Sequence, residues 1–132
     1  MLRYMLDTNI AIYIIKRRPP EALAQFNRAT GRMCTSTVTP AELMHGVEKS
    51  ARPEHNLKQV EDFVSRLEVV DYDARVAAHY GEIRNDLERK DMTLGVNDLH
   101  IAGHARSAGL ILVTNNLKEF ERVNGLRVES RL

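Results

Sequence analysis

Apolar residues along the chain fall into two rhythms, and together they predict an alternation of strands and helices. Short, largely apolar stretches at Arg3–Leu6, Arg32–Ser36, Glu68–Tyr72 and Leu110–Thr114 predict strands, and Leu126–Val128 is a candidate edge strand. Between them the apolar positions recur at helical spacing. The first helix is expected from Thr8 to about Lys16, ended by Pro19 and Pro20, and a second from Glu21 to Arg28 before Gly31. Thr39-Pro40-Ala41-Glu42 opens a helix to about Ser50, with Thr39 as N-cap and Pro40 in the first helical position. Leu57, Val60, Val64 and Leu67 mark a helix after Pro53, and Val76, Tyr80, Ile83 and Leu87 mark a long one from about Asp73 to Lys90. Asn97 can cap a last helix from Asp98 to about Ala108, in which Ala102, Gly103 and Ala105 permit close packing before Gly109 ends it.

Strands that alternate with helices imply right-handed crossovers and a parallel sheet covered on both faces. The expected fold is α/β, three layers α/β/α around a short central parallel sheet of four to five strands. With no repeat or linker, the 132 residues are expected to form one domain, 1–132.

Composition narrows the function classes more than it selects one. At 43% hydrophobic and 28% charged residues, the chain has the balance of a water-soluble protein rather than of a disordered or membrane one. No stretch approaches the roughly 18 apolar residues of a membrane span, and the N-terminus lacks a signal-peptide pattern, so a cytoplasmic location is expected. Cys34 is the lone cysteine, which excludes an internal disulfide and leaves it a small core residue. The net charge of +1 gives no argument for nucleic acid by itself, although acids confined to one pocket would leave the rest of the surface more basic.

Three carboxylates carry the candidate chemistry. Asp7 sits where a strand ends and a helix begins, Glu42 lies in the first turn of its helix, and Asp98 follows Asn97 at the start of another. Each has an ordinary explanation. Asp7 can cap the first helix, Thr39-x-x-Glu42 fits a capping box, and Asp98 suits the positive end of a helix dipole. Helix starts in a wound parallel sheet, however, converge beyond the carboxyl ends of its strands. Converging acids would hold Mg²⁺, which takes oxygen ligands, keeps several waters and can activate water against a phosphodiester.

These residues also carry a family resemblance. MLDTNIAIYIIK, STVTPAELMHGVEKS, LGVNDLHIAGHARSAGLILVTNN and EFERVNGLRVE, in that order and across the whole chain, resemble PIN-domain ribonucleases, specifically the VapC toxins of bacterial VapBC toxin–antitoxin pairs. The resemblance implies a toxin with Mg²⁺-dependent endoribonuclease activity, Mn²⁺ being a substitute, and with Asp7, Glu42 and Asp98 as catalytic residues and metal ligands. It implies tRNA as substrate, initiator tRNA cut in its anticodon stem-loop. It further implies a homodimer neutralised in a hetero-oligomer by a VapB-type antitoxin, through which the complex reaches operator DNA. The family often has a fourth acid after the last core strand. Here Thr114-Asn115-Asn116 stands in its place, so Asn116 is expected at that corner, with Glu119 as a substitute and Thr114 and Asn9 in support.

Other residues invite weaker readings. Lys16, Arg17 and Arg18 suit a helix C-terminus but, with Arg84, Arg89, Lys90 and Arg106, are also candidates for RNA phosphates; Arg17, Arg18, Arg84 and Arg106 are carried as the RNA-binding set. Tyr72 and Tyr80 can stack on bases, although Tyr80 lies on an apolar stripe. His100 and His104 are four apart on a helix without a third ligand, so surface or packing roles are expected for them. A haloacid-dehalogenase-type phosphatase also begins with a strand ending in aspartate, but it needs a second aspartate where Asn9 stands. A non-catalytic interaction module whose acids only cap helices is the other alternative.

Overall fold

In the computed structural model, which describes residues 1–16 and 20–130 apart from the Ala22 side chain, the short apolar runs are strands, the three central ones buried on both sides. Tyr4–Leu6 (β1), Met33–Ser36 (β2), Glu68–Val70 (β3), Ile111–Val113 (β4) and Val128–Glu129 (β5) form one sheet. Every pairing is parallel, in the order β3-β2-β1-β4-β5. Burial on both faces is why β1, β2 and β4 read as runs rather than as alternating patterns.

The strands nevertheless alternate in which layer they feed. Tyr4, Leu6, Met33, Ile111 and Val113 point into a core with Ile10, Ile14, Phe26, Leu43, Val47, Val60 and Phe63. Those partners come from Thr8–Lys16 (α1), Pro20–Arg28 (α2), Val38–Glu48 (α3) and Pro53–Ser65 (α4). Met5, Cys34 and Leu112 point the other way, toward Ile83, Leu87, Leu99, Ile101, Ala102 and Phe120. This second layer is Ala74–Arg89 (α5), Val96–Ala108 (α6) and Leu117–Phe120 (α7). The expected α/β/α layering is therefore present, with Cys34 in the core as anticipated.

Several boundaries differ from the sequence reading for local reasons. α3 begins at Val38 with Thr37 in the cap position, so Thr39 lies inside the helix and caps nothing. α6 begins at Val96 after Gly95, so Asn97 is not its cap either. The other end of α6 follows expectation, with Gly109 left-handed at φ 69° and its N–H returned to the last turn. The edge strand falls at Val128–Glu129, two residues beyond its anticipated start.

The close packing anticipated for α6 is concentrated at Gly103. A Cβ there would stand 3.0 Å from the backbone N of Tyr80 and 3.2 Å from its Cα, atoms of α5 that cannot rotate aside. Gly103→Ala is expected to lower stability by a net ~1–2 kcal/mol, the overpacking cost outweighing the helix-propensity gain. Denaturant titration reads this directly.

Candidate active site

The sheet order places the chemistry. The chain steps from β1 outward to β2 and β3, then returns to add β4 and β5 on the opposite side of β1, so β1 and β4 flank the point where the winding reverses. A crevice opens beyond such strands. Asp7 follows β1 there and Thr114 follows β4, bound together by Asp7 N–H to Val113 C=O at 3.0 Å and by the Thr114 hydroxyl donating to Asp7 Oδ2 at 2.8 Å.

Asp7 is buried, and burial is the main reason its carboxyl is held above the usual aspartate range; the Glu42 charge adds to this, while Thr114 and the Thr8 and Asn9 amides oppose it. Asp7 immediately precedes α1, the position that the ordinary capping reading expects. It also faces a cleft, so the two roles coexist.

Glu42 is held by partners remote in sequence. Thr8 donates its hydroxyl to Glu42 Oε1 at 2.6 Å and accepts from the buried Thr39 hydroxyl at 3.0 Å. The capping box is thus replaced by a directed chain from Thr39 through Thr8 to Glu42. Thr8 and Thr39 were absent from the sequence-derived site, because the pairing spans 34 and 31 residues.

Asp98 lies in the first turn of α6 and closes the third side. Its pKa is raised from 3.8 to about 6, first by burial and then by the charges of Asp7, Glu42 and Glu119. The three acids therefore act on one another across a single cleft of about 570 Å³, lined also by Thr8, Asn9, His45, Gly46, Lys49 and Asn97.

The donors presented to this cleft suit a hard divalent ion. Among the described residues no three His, Cys, Asp or Glu side chains stand close enough to close a metal cage unaided. Mg²⁺ does not need one, since it is ordinarily held by one or two carboxylates and keeps waters in its remaining positions. Mutual repulsion among buried carboxylates is itself the cost that a bound cation would remove.

Both residues expected at the fourth corner stand on α7. Asn116 stands at the N-cap position of α7 without a side-chain cap bond, and its backbone N–H is bonded to the Thr114 hydroxyl. Glu119, in the first turn of α7, is close enough to raise Asp98. Asn9 is on the cleft wall.

Two of the arginine candidates do not reach the cleft. Arg106 is at the far end of α6 from Asp98, its guanidinium bonded to Glu82 (2.8 Å), His79 (2.8 Å) and the Asn124 carbonyl (2.9 Å). It ties α6 to α5 and to the loop before β5. Arg84 on α5 is bonded to the Tyr80 hydroxyl at 2.6 Å and to Glu88. Arg17 and Arg18 lie outside the described residues.

Aromatic and imidazole groups are likewise engaged in packing. Tyr80 stacks on His100 with centroids 4.1 Å apart, and Tyr72 bonds His100 Nδ1 at 2.8 Å. His104 is buried with Nδ1 2.7 Å from Ser36 Oγ, which also accepts the Val38 N–H. This leaves His104 bracing α6 against β2 and His100 bracing it against Tyr72 and α5, in packing rather than metal-binding roles. A larger groove of about 830 Å³ between α1, α2 and α4 has an apolar floor of Ile14, Leu23, Phe26 and Phe63 and one acid, Asp62, so it lacks the chemistry of the carboxylate cleft.

The wound parallel sheet with an acid-lined cleft at its switch point belongs to a PIN domain, whose family model matches residues 4–126. The chain is 58% identical over 130 residues to Ribonuclease VapC2 of Haemophilus influenzae and 56% identical over 129 residues to the tRNA(fMet)-specific endonuclease VapC of Shigella flexneri, in each case covering 98% of both chains. Its fold matches a chain in the crystal structure of DNA-bound VapBC from Salmonella typhimurium with a TM-score of 0.94, at 54% identity and 98% coverage of both chains. The chain belongs to the VapC ribonucleases of the PIN family.

Proposed function

We propose that this protein is the toxin of a type II toxin–antitoxin pair, a Mg²⁺-dependent endoribonuclease, with Mn²⁺ able to substitute, whose site is Asp7, Glu42 and Asp98 with Glu119 as the fourth acid. The observation that carries this reading is the convergence of three acids from α3, α6 and the end of β1 on one cleft, close enough to push Asp98 to about 6. The sheet topology brings helix starts together, but mutual repulsion among buried acids is a cost that capping alone would not require.

Asp7, Glu42 and Asp98 would hold the ion directly or through its bound waters, and Thr8 and Thr114 fix the carboxylates by donating to Glu42 and Asp7. Bound there, a divalent ion supplies charge to activate water and to stabilise the leaving alkoxide of a phosphodiester. Full-length identity of 54–58% to VapC ribonucleases, some named for tRNA(fMet), supports initiator tRNA as the substrate. The VapBC complexes among the structural neighbours support a cognate VapB-type antitoxin as partner, with operator DNA reached through it, and we carry a homodimeric toxin in the cytoplasm as part of the same reading. Among the described residues no helix is long and apolar enough to cross a membrane.

Mapping RNA 5′ ends after brief induction tests substrate and cut position together. New ends confined to the initiator tRNA anticodon stem-loop are expected. An unchanged 5′-end map with wild-type protein present would defeat the nuclease reading, and ends in other RNAs would replace the substrate.

A further inference from the structure

A divalent ion would offset the three acids at the cut bond, but the flanking phosphates of the same strand need accessible positive charge of their own along the cleft. Arg84 and Arg106 do not supply it, because both are bonded elsewhere. The cleft contains a different cation, Lys49, together with His45.

α3 puts these groups in line with the chemistry. Glu42, His45, Gly46 and Lys49 are spaced i, i+3, i+4 and i+7, which places them along one helical face, and all four line the cleft. At ~1.5 Å rise per residue, Lys49 stands about 10 Å along the helix from Glu42. Lys49 is exposed, and among the described residues its side chain enters none of the ion pairs.

Gly46 lies between the acid and the cation. A Cβ built there meets nothing within 4 Å, so the space above this turn is open. Glycine in a helix interior sacrifices stability relative to alanine, and a bare turn here leaves room for a strand to pass close to the helix backbone.

We propose that this face of α3 is the track for the RNA strand, with Lys49 binding a phosphate that flanks the cut bond and Gly46 keeping the floor of the track open. The inference rests on the nuclease reading above and adds the residues that seat its substrate. Lys49 binds without touching the reacting atoms, so its removal weakens substrate affinity and spares the chemical step.

The test is steady-state cleavage of a labelled RNA stem-loop by the full chain, with Lys49→Ala, Lys49→Arg and Gly46→Leu beside wild type. Lys49→Ala is expected to raise KM roughly tenfold with kcat within about twofold. It should reduce the slope of log affinity against log salt by about 0.7–1, the signature of one lost phosphate contact, and Lys49→Arg should restore both. Gly46→Leu should cut less while melting no lower than wild type, which separates an obstructed track from a damaged helix. A Lys49→Ala protein with wild-type KM and salt slope, or one that loses kcat at unchanged KM, overturns the proposal. Wild type that leaves the RNA intact sinks the nuclease reading instead; Lys49 is then judged by fluorescence anisotropy of the same RNA, where undiminished binding by Lys49→Ala overturns it.

Discussion

Asp98→Asn is expected to abolish RNA cleavage, by at least about 100-fold, and at the same time to stabilise the cation-free chain. The first effect follows from removing one of three carboxylates that face a single cleft. The second follows from its titration. Asp98 is raised from 3.8 to about 6 by burial and by neighbouring acids, so the folded state holds the carboxyl's proton more tightly than the unfolded chain. A carboxyl with a raised pKa costs nothing below about pH 4, costs progressively more as pH rises through the window from 4 to 6, and costs its full amount at pH 7.

Two units correspond to ~2.7 kcal/mol, and partial exposure of Asp98 reduces the expected gain to roughly 1–2 kcal/mol. Asparagine retains the size and loses the charge. Thermal melts of wild type and Asp98→Asn in chelator should therefore differ at pH 7 and converge near pH 4. Equal melting at pH 7 would mean that the acids do not burden one another. Asp7, also raised by burial, should contribute in the same direction.

Removal of divalent ions is expected to have an equally large effect. Protein treated with chelator should leave RNA uncut, and Mg²⁺ or Mn²⁺ should restore cleavage. Because the ion binds the folded site, it should also raise the melting temperature, by the equivalent of ~2.7 kcal/mol at 100 times its dissociation constant. The increase should be larger at pH 7 than at pH 5, where protonated Asp98 is a poorer ligand. Unchanged cleavage in chelator would assign the acids a metal-free role.

The layers of this fold were legible because burial leaves a periodic trace. β1, β2 and β4 are runs that only a covered parallel sheet accommodates, and α5 carries its buried Val76, Ile83 and Leu87 at helical spacing. Weaker elements left less trace. α7 is four residues long, too short for a period, and β5 is two residues, so one was not anticipated and the other was misplaced.

The candidate acids and one support, Thr114 on Asp7, were legible, whereas the hydroxyl chain behind Glu42 was not. Thr39 and Glu42 fit a local capping pattern, yet both side chains join the hydroxyl of Thr8, more than thirty residues away. Local pattern cannot foresee such a partner. Lys49 and Arg106 look alike in sequence, because charge is visible there but the face a helix turns to the cleft depends on the rest of the fold. Arg106 is occupied by Glu82 and His79 from α5, whereas Lys49 shares a helix face with Glu42.

The most direct measurement of the central claim is Mn²⁺ binding by electron paramagnetic resonance, paired with cleavage of labelled initiator tRNA, for wild type, Asp7→Asn, Glu42→Gln and Asp98→Asn. Saturable binding and metal-dependent cleavage in wild type, with both weakened or lost in each folded variant, is the predicted result. Undiminished cleavage in the three variants, or Mn²⁺ binding that all three leave unaltered, would contradict it.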